Sequence, residues 1–464
     1  MADRLVAEVH ITRRNSVQRT EIRTAVLGDH GCGKSTVLGC LTYGESDNGR
    51  GKARLNLLRH RHEVESGRTS SITFGTIGFD ADRQLLNYTN NHSAELIFQR
   101  SRHVVTFIDT CGHSKHLKTT ASAVAGYSPQ VFCVVVAADA EEITATTRAY
   151  LAIAAVLKAP LMVVVTKMDI AVKSHFAVLM NGLLCALDAA VPGRSRCLVT
   201  DSSGCESLSC DMMSLKVVPI FTTSAVRTVG FNELTAVLSH ARVPSSDADQ
   251  PDRQPTGARG LFEFHIEHLF SIDAVGTVVT GWVKSGSAQV GSASGKQQLL
   301  VGPDDSGSFT EIKVTSIHAL RIPTETAEAR SSAALAIQPA KPMRIRKGML
   351  VLDAELATGG GRRISNEFTA RGAVLNAGLN GSSTVIVHVR STYHQARVIE
   401  LTEKPSTAVL DATLGPGNSP AGCAFATVRL RFSDDVHDYM YAGIPIVVRD
   451  GPNLAFVGHI SDVL

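Results

Sequence analysis

Eight consecutive residues, Gly28-Asp29-His30-Gly31-Cys32-Gly33-Lys34-Ser35, constrain the fold more than any other stretch of the chain. Two glycines stand five residues apart and are followed by Lys and a hydroxyl. A short apolar run, Thr24 to Leu27, precedes them, and Thr36 to Leu41 can start a helix behind them. Strand, glycine-rich loop and helix in that order form the context of a phosphate-binding loop. Glycines let the backbone curl so that its N–H groups face phosphate oxygens, and the helix N-terminus adds positive potential. Lys34 is then placed to bridge the β- and γ-phosphates, and the Ser35 hydroxyl to ligate Mg²⁺. Asp29, His30, Gly31, Cys32 and Thr36 complete the cradle. The alternative is a glycine-rich turn that matches by chance; the flanking runs favour the loop.

Residues 1–243 alternate strand-like and helix-like segments. Val104 to Ile108, Val131 to Ala137 and Leu161 to Val165 are short, β-branched and almost uncharged, as buried strands are. Between the last two, Glu141 to Leu157 carries apolar residues at helical spacing. This alternation predicts an α/β domain with a mostly parallel sheet covered on both faces. Ligands of such sheets bind beyond the carboxyl ends of the strands.

Three further motifs fall at strand ends. In Asp109-Thr110-Cys111-Gly112-His113, Asp109 can hold Mg²⁺ through water and the Gly112 N–H can bond the γ-phosphate, which makes a switch when that phosphate leaves. His113 takes the position of a water-orienting catalytic residue. In Thr166-Lys167-Met168-Asp169, the Asp169 carboxylate can accept two hydrogen bonds from a guanine edge, whereas adenine offers no matching donors; the Lys167 stem can pack over the base. Ser224-Ala225 follows the strand-like Val218 to Thr222 and brings backbone N–H groups to the guanine O6. The expected cofactors are GTP/GDP and Mg²⁺, with Ser35 and Asp109 as metal ligands.

Pro244 to Gly257 is polar and Pro-rich, a linker. Beyond it short strand-like segments separated by Gly, Ser, Asp and Pro predict two all-β barrels, over 258–356 and 357–464. The strands expected in the first are Phe262–Leu269, Gly276–Lys284, Gln298–Val301, Glu311–Leu320 and Met349–Ala354. Those in the second are Phe368–Leu375, Thr384–His388, Gln395–Leu401, Phe425–Phe432 and Ile444–Val448.

No apolar run reaches the length of a membrane span, and Met1 to Arg14 has no apolar signal core. Nine cysteines include no CxxC pair, so no zinc site or disulfide framework is expected, and a reducing, cytoplasmic setting follows. The net charge is +3, but Arg50 to Arg68 holds six Arg/Lys (Arg50, Lys52, Arg54, Arg59, Arg61, Arg68). Two readings stand for that run: a solvated face, or a surface that meets nucleic acid or the ribosome.

The order GxxxxGKS, a switch Thr, DxxGH, TKxD and SA, followed by two β-domains, resembles the translational GTPases typified by elongation factor Tu. Asp47 to Ser71 is similar to the first switch region of the "GTP-binding protein 1 and 2" branch. Leu117-Lys118-Thr119-Thr120, Gly276 to Val279, Ser316 to Arg321, Arg344 to Met349 and Arg449-Asp450-Gly451 extend the likeness over nearly the whole chain. The resemblance implies that Thr69 ligates Mg²⁺ and senses the γ-phosphate, and that the barrels swing between GTP and GDP states. It implies a ribosome, tRNA or other RNA as partner; a monomer is expected, and intrinsic GTP hydrolysis is expected to be slow because no arginine finger is evident.

Four departures stand out. Relatives carry Asp where this chain has Gly31, with Asp29 two residues earlier, which bears on the catalytic site and on a monovalent-cation site. Thr166 replaces the commoner Asn, and Arg196 to Met213 reads as a divergent loop insertion holding Cys205 and Cys210. The branch's long N-terminal extension is absent from the expected organisation. Two functional readings follow, a GTP hydrolase acting on or near the ribosome, and a GTP-dependent adaptor for RNA or the mRNA-decay machinery with marginal hydrolysis. A tRNA-carrying factor like the selenocysteine-specific relatives and an ATP-using P-loop kinase are weaker alternatives. So is a redox switch at Cys32 and Cys111, against which stands the burial of small thiols.

Overall fold

The structure, a computed structural model, describes residues 19–66, 69–113, 117–243, 260–291, 297–320, 322–358, 362–376, 379–381, 383–404, 424–433 and 436–464. Met1 to Arg14, the linker over 244–257, Arg68 and the Gly/Pro-containing loop over 406–421 lie outside them.

The first unit is one eight-stranded sheet. Its strands are β1 (Thr20–Gly28), β2 (Thr73–Phe79), β3 (Leu85–Leu86), β4 (His103–Asp109), β5 (Val131–Ala137), β6 (Leu161–Thr166), β7 (Ser195–Val199) and β8 (Val217–Thr222), in the order β3-β2-β4-β1-β5-β6-β8-β7. From β4 to β7 all pairs are parallel; β2 runs antiparallel to β4 and to β3, at one edge. The helices are α1 (Lys34–Tyr43), α2 (Arg61–Ser66), α3 (Ala94–Arg100), α4 (Leu117–Gly126), α5 (Ala145–Val156), α6 (Lys173–Ala190), α7 (Cys205–Met213) and α8 (Phe231–His240).

The period of two along β5 explains the layers. Phe132, Val134 and Val136 pack under α4, α5 and α6, through Val124, Leu151 and Leu183 among others. Cys133 and Val135 face the opposite layer, where Leu38 of α1, Met212 of α7 and Leu234 of α8 cover them. The helix expected from Glu141 starts at Ala145, because Thr144 is its cap and its hydroxyl accepts the Thr147 N–H at 3.0 Å.

One expectation is corrected. Arg196 to Met213 is no loop insertion: it holds β7, the parallel edge strand, and α7, whose Cys205, Met212 and Met213 are buried in the core. Ser and Cys dominate this stretch and obscure its apolar face, and an edge strand needs few apolar residues. Cys205 therefore sits buried on a helix and Cys210 exposed on the same helix; among the described residues all eight cysteines are free.

The second unit closes a ring of six strands: Leu299–Gly302, Leu350–Asp353, Glu263–Ile272, Gly276–Ser285, Ser331–Pro339 and Thr310–Ala319, the last pairing back to the first. The third is a closed barrel of Glu367–Val374, Ala424–Phe432, Thr392–Lys404, Thr384–Val389, Pro445–Asp450 and Asn453–Val463. All ten expected strands are present, with ends shifted by a few residues. Ser331–Pro339 was not legible, because alanines and serines fill a strand whose place is set by the two it joins.

Both barrels dock on the sheet domain. Ala373, Val447, Leu454 and Val457 of the second barrel belong to the same apolar cluster as α4 and α5. Along α4 the contacts turn polar: Lys118 Nζ donates to Tyr393 OH (2.9 Å), Ser391 Oγ to the Gly126 carbonyl (2.9 Å), and Ser122 Oγ lies 3.3 Å from His388 Nδ1. The first barrel is held by β1. Arg23 pairs with Glu267, and the Glu21 carboxylate accepts from Ser332 Oγ (2.6 Å) and Ser332 N (2.8 Å).

Candidate functional site

The phosphate loop leaves β1 at Gly28, where the backbone has φ 154° and an added Cβ would lie 2.4 Å from the Val135 carbonyl oxygen. Gly31 and Gly33 take φ 74° and 96°, the left-handed region that favours glycine. The loop opens onto α1, which begins with Lys34 and Ser35. Lys34 Nζ, buried, donates to the carbonyls of Gly28 (2.9 Å) and Asp29 (2.8 Å). Gly112 comes so near that a Cβ there would sit 2.4 Å from Lys34 Nζ, so the DxxG backbone and the loop lysine meet.

A cavity of about 550 Å³ opens at the carboxyl end of the sheet. His30, Gly31, Gly33, Lys34, Ser35 and Thr36 line one end with Thr69, Thr110 and Gly112; Thr166, Lys167, Asp169 and Ala225 line the other. Four separate motifs thus converge on one slot. Gly28, Asp29 and Cys32 support the loop from outside the cavity wall. Asp109 lies behind Ser35, and Ser224 behind Asp169, donating to Asp169 Oδ1 at 2.6 Å. His113 stands beside the wall with its ring 5.5 Å from that of His30.

The oxygens expected to hold the metal stand in series. Ser35 Oγ donates to Asp109 Oδ2 at 2.5 Å and lies 2.9 Å from Thr69 Oγ1. Asp109 Oδ1 is buried with no hydrogen-bond partner. Burial pushes the Asp109 carboxyl up to about 6 against the opposing pull of Ser35 and Lys34, so a cation there would relieve a real cost. Two hydroxyls and a carboxylate are hard oxygen donors and fit Mg²⁺.

The base end is equally ordered. Lys167 Nζ pairs with Asp139 at 2.9 Å, fixing its stem along the slot. Thr166 Oγ1 donates to the Cys32 carbonyl at 2.6 Å and faces the position a Gly33 Cβ would take, so the residue replacing Asn ties the base motif to the phosphate loop. Asp29 does not substitute for the carboxylate missing at Gly31. Its Oδ2 accepts from Thr144 Oγ1 (2.6 Å) and Thr147 Oγ1 (2.9 Å), turned toward the head of α5. Burial raises both Cys32 and Cys111, which keeps the thiols protonated and argues against a redox switch.

Several participants were missed in the sequence. Arg50 and Arg54 line the cavity, so part of the basic run faces the nucleotide slot. Asp47 organises that run: its carboxylate accepts from the N–H groups of Gly49 (2.9 Å), Gly51 (3.1 Å) and Ala53 (3.0 Å), and its own N–H donates to the Ala225 carbonyl (2.9 Å). A short polar–glycine pattern, DNGRG, was the available signal.

A phosphate loop feeding a helix, an Asp–Ser–Thr oxygen cluster beside it and a slot ending in a carboxylate, followed by two β-barrels, define a P-loop GTPase of the translation-factor type. Residues 20–243 match the elongation factor Tu GTP-binding domain. Over 464 aligned residues the chain is 33% identical to mouse GTP-binding protein 2, covering 99% of this chain and 72% of that one. It is 36% identical over 340 residues to GTP-binding protein 1 of Xenopus laevis, covering 72% of this chain and half of the relative. The chain belongs to the GTP-binding protein 1/2 branch of the translational GTPases. In fold it is similar to the GTP-bound GTPase-like domain of S. cerevisiae Ski7, with a TM-score of 0.65 at 13% identity, over 96% of this chain and 98% of that one. Among the described residues no helix is long and apolar enough to cross a membrane.

Proposed function

We propose that this chain is a GTP-driven switch acting on or near the ribosome or tRNA, built from a nucleotide domain over 1–243, a linker over 244–257 and barrels over 258–356 and 357–464. Lys34 would hold the β- and γ-phosphates, and Ser35, Thr69 and Asp109 would hold Mg²⁺, which would neutralise phosphate charge. His113 orients the attacking water. Thr166, Lys167, Asp169, Ser224 and Ala225 select guanine.

The observation that supports this best is the meeting of three elements at one point. Ser35 of the phosphate loop, Thr69 of the first switch and Asp109 of the second lie within hydrogen-bond reach in series. The helix directly after the second switch, α4, packs on the second barrel. A change at the γ-phosphate therefore has a short mechanical route to a barrel surface. Full-length protein should co-sediment with ribosomes in the presence of a non-hydrolysable GTP analogue and not with GDP. Equal sedimentation in both states would refute a ribosome-reading switch.

A second reading, an adaptor for RNA or the mRNA-decay machinery with weak hydrolysis, draws on the engagement of Asp29 by α5, which leaves no carboxylate where Gly31 stands. Turnover stimulated by RNA and not by ribosomes would favour it.

A further inference from the structure

Between Asp47 and β2 the described residues form short helical turns and no strand, so Thr69 lies outside any strand ladder. What fixes it is a carboxylate six residues earlier. Glu63, in the first turn of α2, is fully buried and uses both oxygens. Oε2 accepts the backbone N–H groups of Arg59 (3.0 Å) and His60 (3.2 Å), the reach-back of a capping box that closes the head of α2. Oε1 accepts Ser70 N (2.7 Å), Ser70 Oγ (2.7 Å), Ser71 N (3.1 Å) and Ser71 Oγ (3.1 Å). Both ends of the α2 loop are thereby clipped to one side chain, and Thr69 is the residue next to the clip.

We propose that Glu63 is a positioning residue of the switch: its carboxylate fastens Ser70 and Ser71 to the head of α2 and so sets Thr69 against Ser35. This rests on the reading of Thr69 as the residue that ligates Mg²⁺ beside the γ-phosphate. Burial alone would raise the Glu63 carboxyl, but the hydrogen bonds from Ser70, Arg59 and His60 outweigh it and hold it at about 2. The clip is therefore charged at every physiological pH, and charged acceptors make the stronger hydrogen bonds. A merely structural role would weaken the fold and both nucleotide states alike. A positioning role loosens the triphosphate state alone, because only there does Thr69 gain a ligand.

The test compares Glu63→Gln, Thr69→Ala and the double variant in the full chain, measuring affinity for GppNHp and for GDP across a Mg²⁺ titration, with thermal midpoints alongside. Glu63→Gln should weaken GppNHp about tenfold and leave GDP within about twofold, since one charged acceptor is lost. Thr69→Ala should do the same, and the double variant should add little to either. A wild-type GppNHp affinity in Glu63→Gln, with the loss present in Thr69→Ala, overturns the clip and spares the Thr69 reading. Losses that simply add overturn it as well. Wild-type behaviour of Thr69→Ala overturns the Thr69 reading and the clip's purpose with it. Should Glu63→Gln fail to fold, Ser70→Ala with Ser71→Ala removes two donors and leaves the carboxylate. The same triphosphate-selective loss, about threefold, is then expected, and an unchanged or unselective affinity refutes the proposal.

Discussion

The single tryptophan of the chain, Trp282, offers a direct measure of how the first barrel is held. Its ring lies 4.4 Å from the Arg23 guanidinium carbon, and both residues are buried. Arg23 forks onto Glu267, with Nη2 to Oε2 at 3.2 Å, and also donates to the Tyr127 carbonyl (3.0 Å) and Ser332 Oγ (3.0 Å). The two partners are not equivalent. In Glu267→Gln the guanidinium keeps Tyr127, Ser332 and the indole face, and the new amide oxygen still accepts, so the cost should be about 1–2 kcal/mol. In Arg23→Met the buried carboxylate loses its ion partner, and the cost should reach about 3–5 kcal/mol. Burial already pushes the Glu267 carboxyl up, with Arg23 the principal opposing influence. Without Arg23 its folded value rises further above the unfolded one, so the native state takes up the proton first and stability recovers as pH falls. Urea titrations followed by Trp282 emission at pH 8 and pH 5 measure all of this. A Glu267→Gln cost equal to that of Arg23→Met, or an Arg23→Met penalty identical at the two pH values, would refute the reasoning.

Three further outcomes are expected. His103 and His388 are both buried, and burial holds each at about 3, with Arg242 adding to the effect at His103 and Arg449 at His388. The unfolded chain therefore protonates first, and stability should fall as pH drops from about 6.5 toward 3, by about 1.4 kcal/mol per pH unit for each site. Thermal midpoints between pH 7 and 4 test this, and His388→Gln should remove that residue's own share of the slope, about 1.4 kcal/mol per pH unit. Asp169→Ala should reduce discrimination of GTP over ATP at least about a hundredfold in competition binding, because the base edge loses its acceptor. Gly39→Ala should weaken nucleotide binding more than its helix propensity suggests: the new Cβ would fall 1.9 Å from the Ala53 carbonyl oxygen, forcing α1 away from the Asp47 loop. Equilibrium binding of labelled GDP to that variant checks it.

The parts of this protein that could be read in its sequence are those in which backbone geometry dictates residue type. Gly28, Gly31 and Gly33 are required by loop conformation or by close approach, and β5 and β6 are buried on both faces, so their runs are uninterrupted. The same holds for the strand-end motifs, whose spacing follows from where each strand stops. Elements whose stability comes from neighbours were hidden. Ser331–Pro339 is a weak strand former locked between two long partners, and β7 is an edge strand of mixed burial. The α7 helix has its apolar residues diluted by Ser and Cys.

The most instructive miss concerns charge. Arg50 to Arg68 is legible in the sequence as a basic run. In the structure the acids govern the segment: Asp47 and Glu63 each gather backbone N–H groups that no strand or helix would satisfy. An irregular loop next to a nucleotide site must place its N–H groups somewhere. A buried carboxylate does this with several acceptor positions at once, at a desolvation cost that only multiple hydrogen bonds offset. Acidic residues inside a basic, glycine-containing switch are thus informative for a physical reason. Arg50 and Arg54 can face the nucleotide slot while a carboxylate holds the backbone beside them.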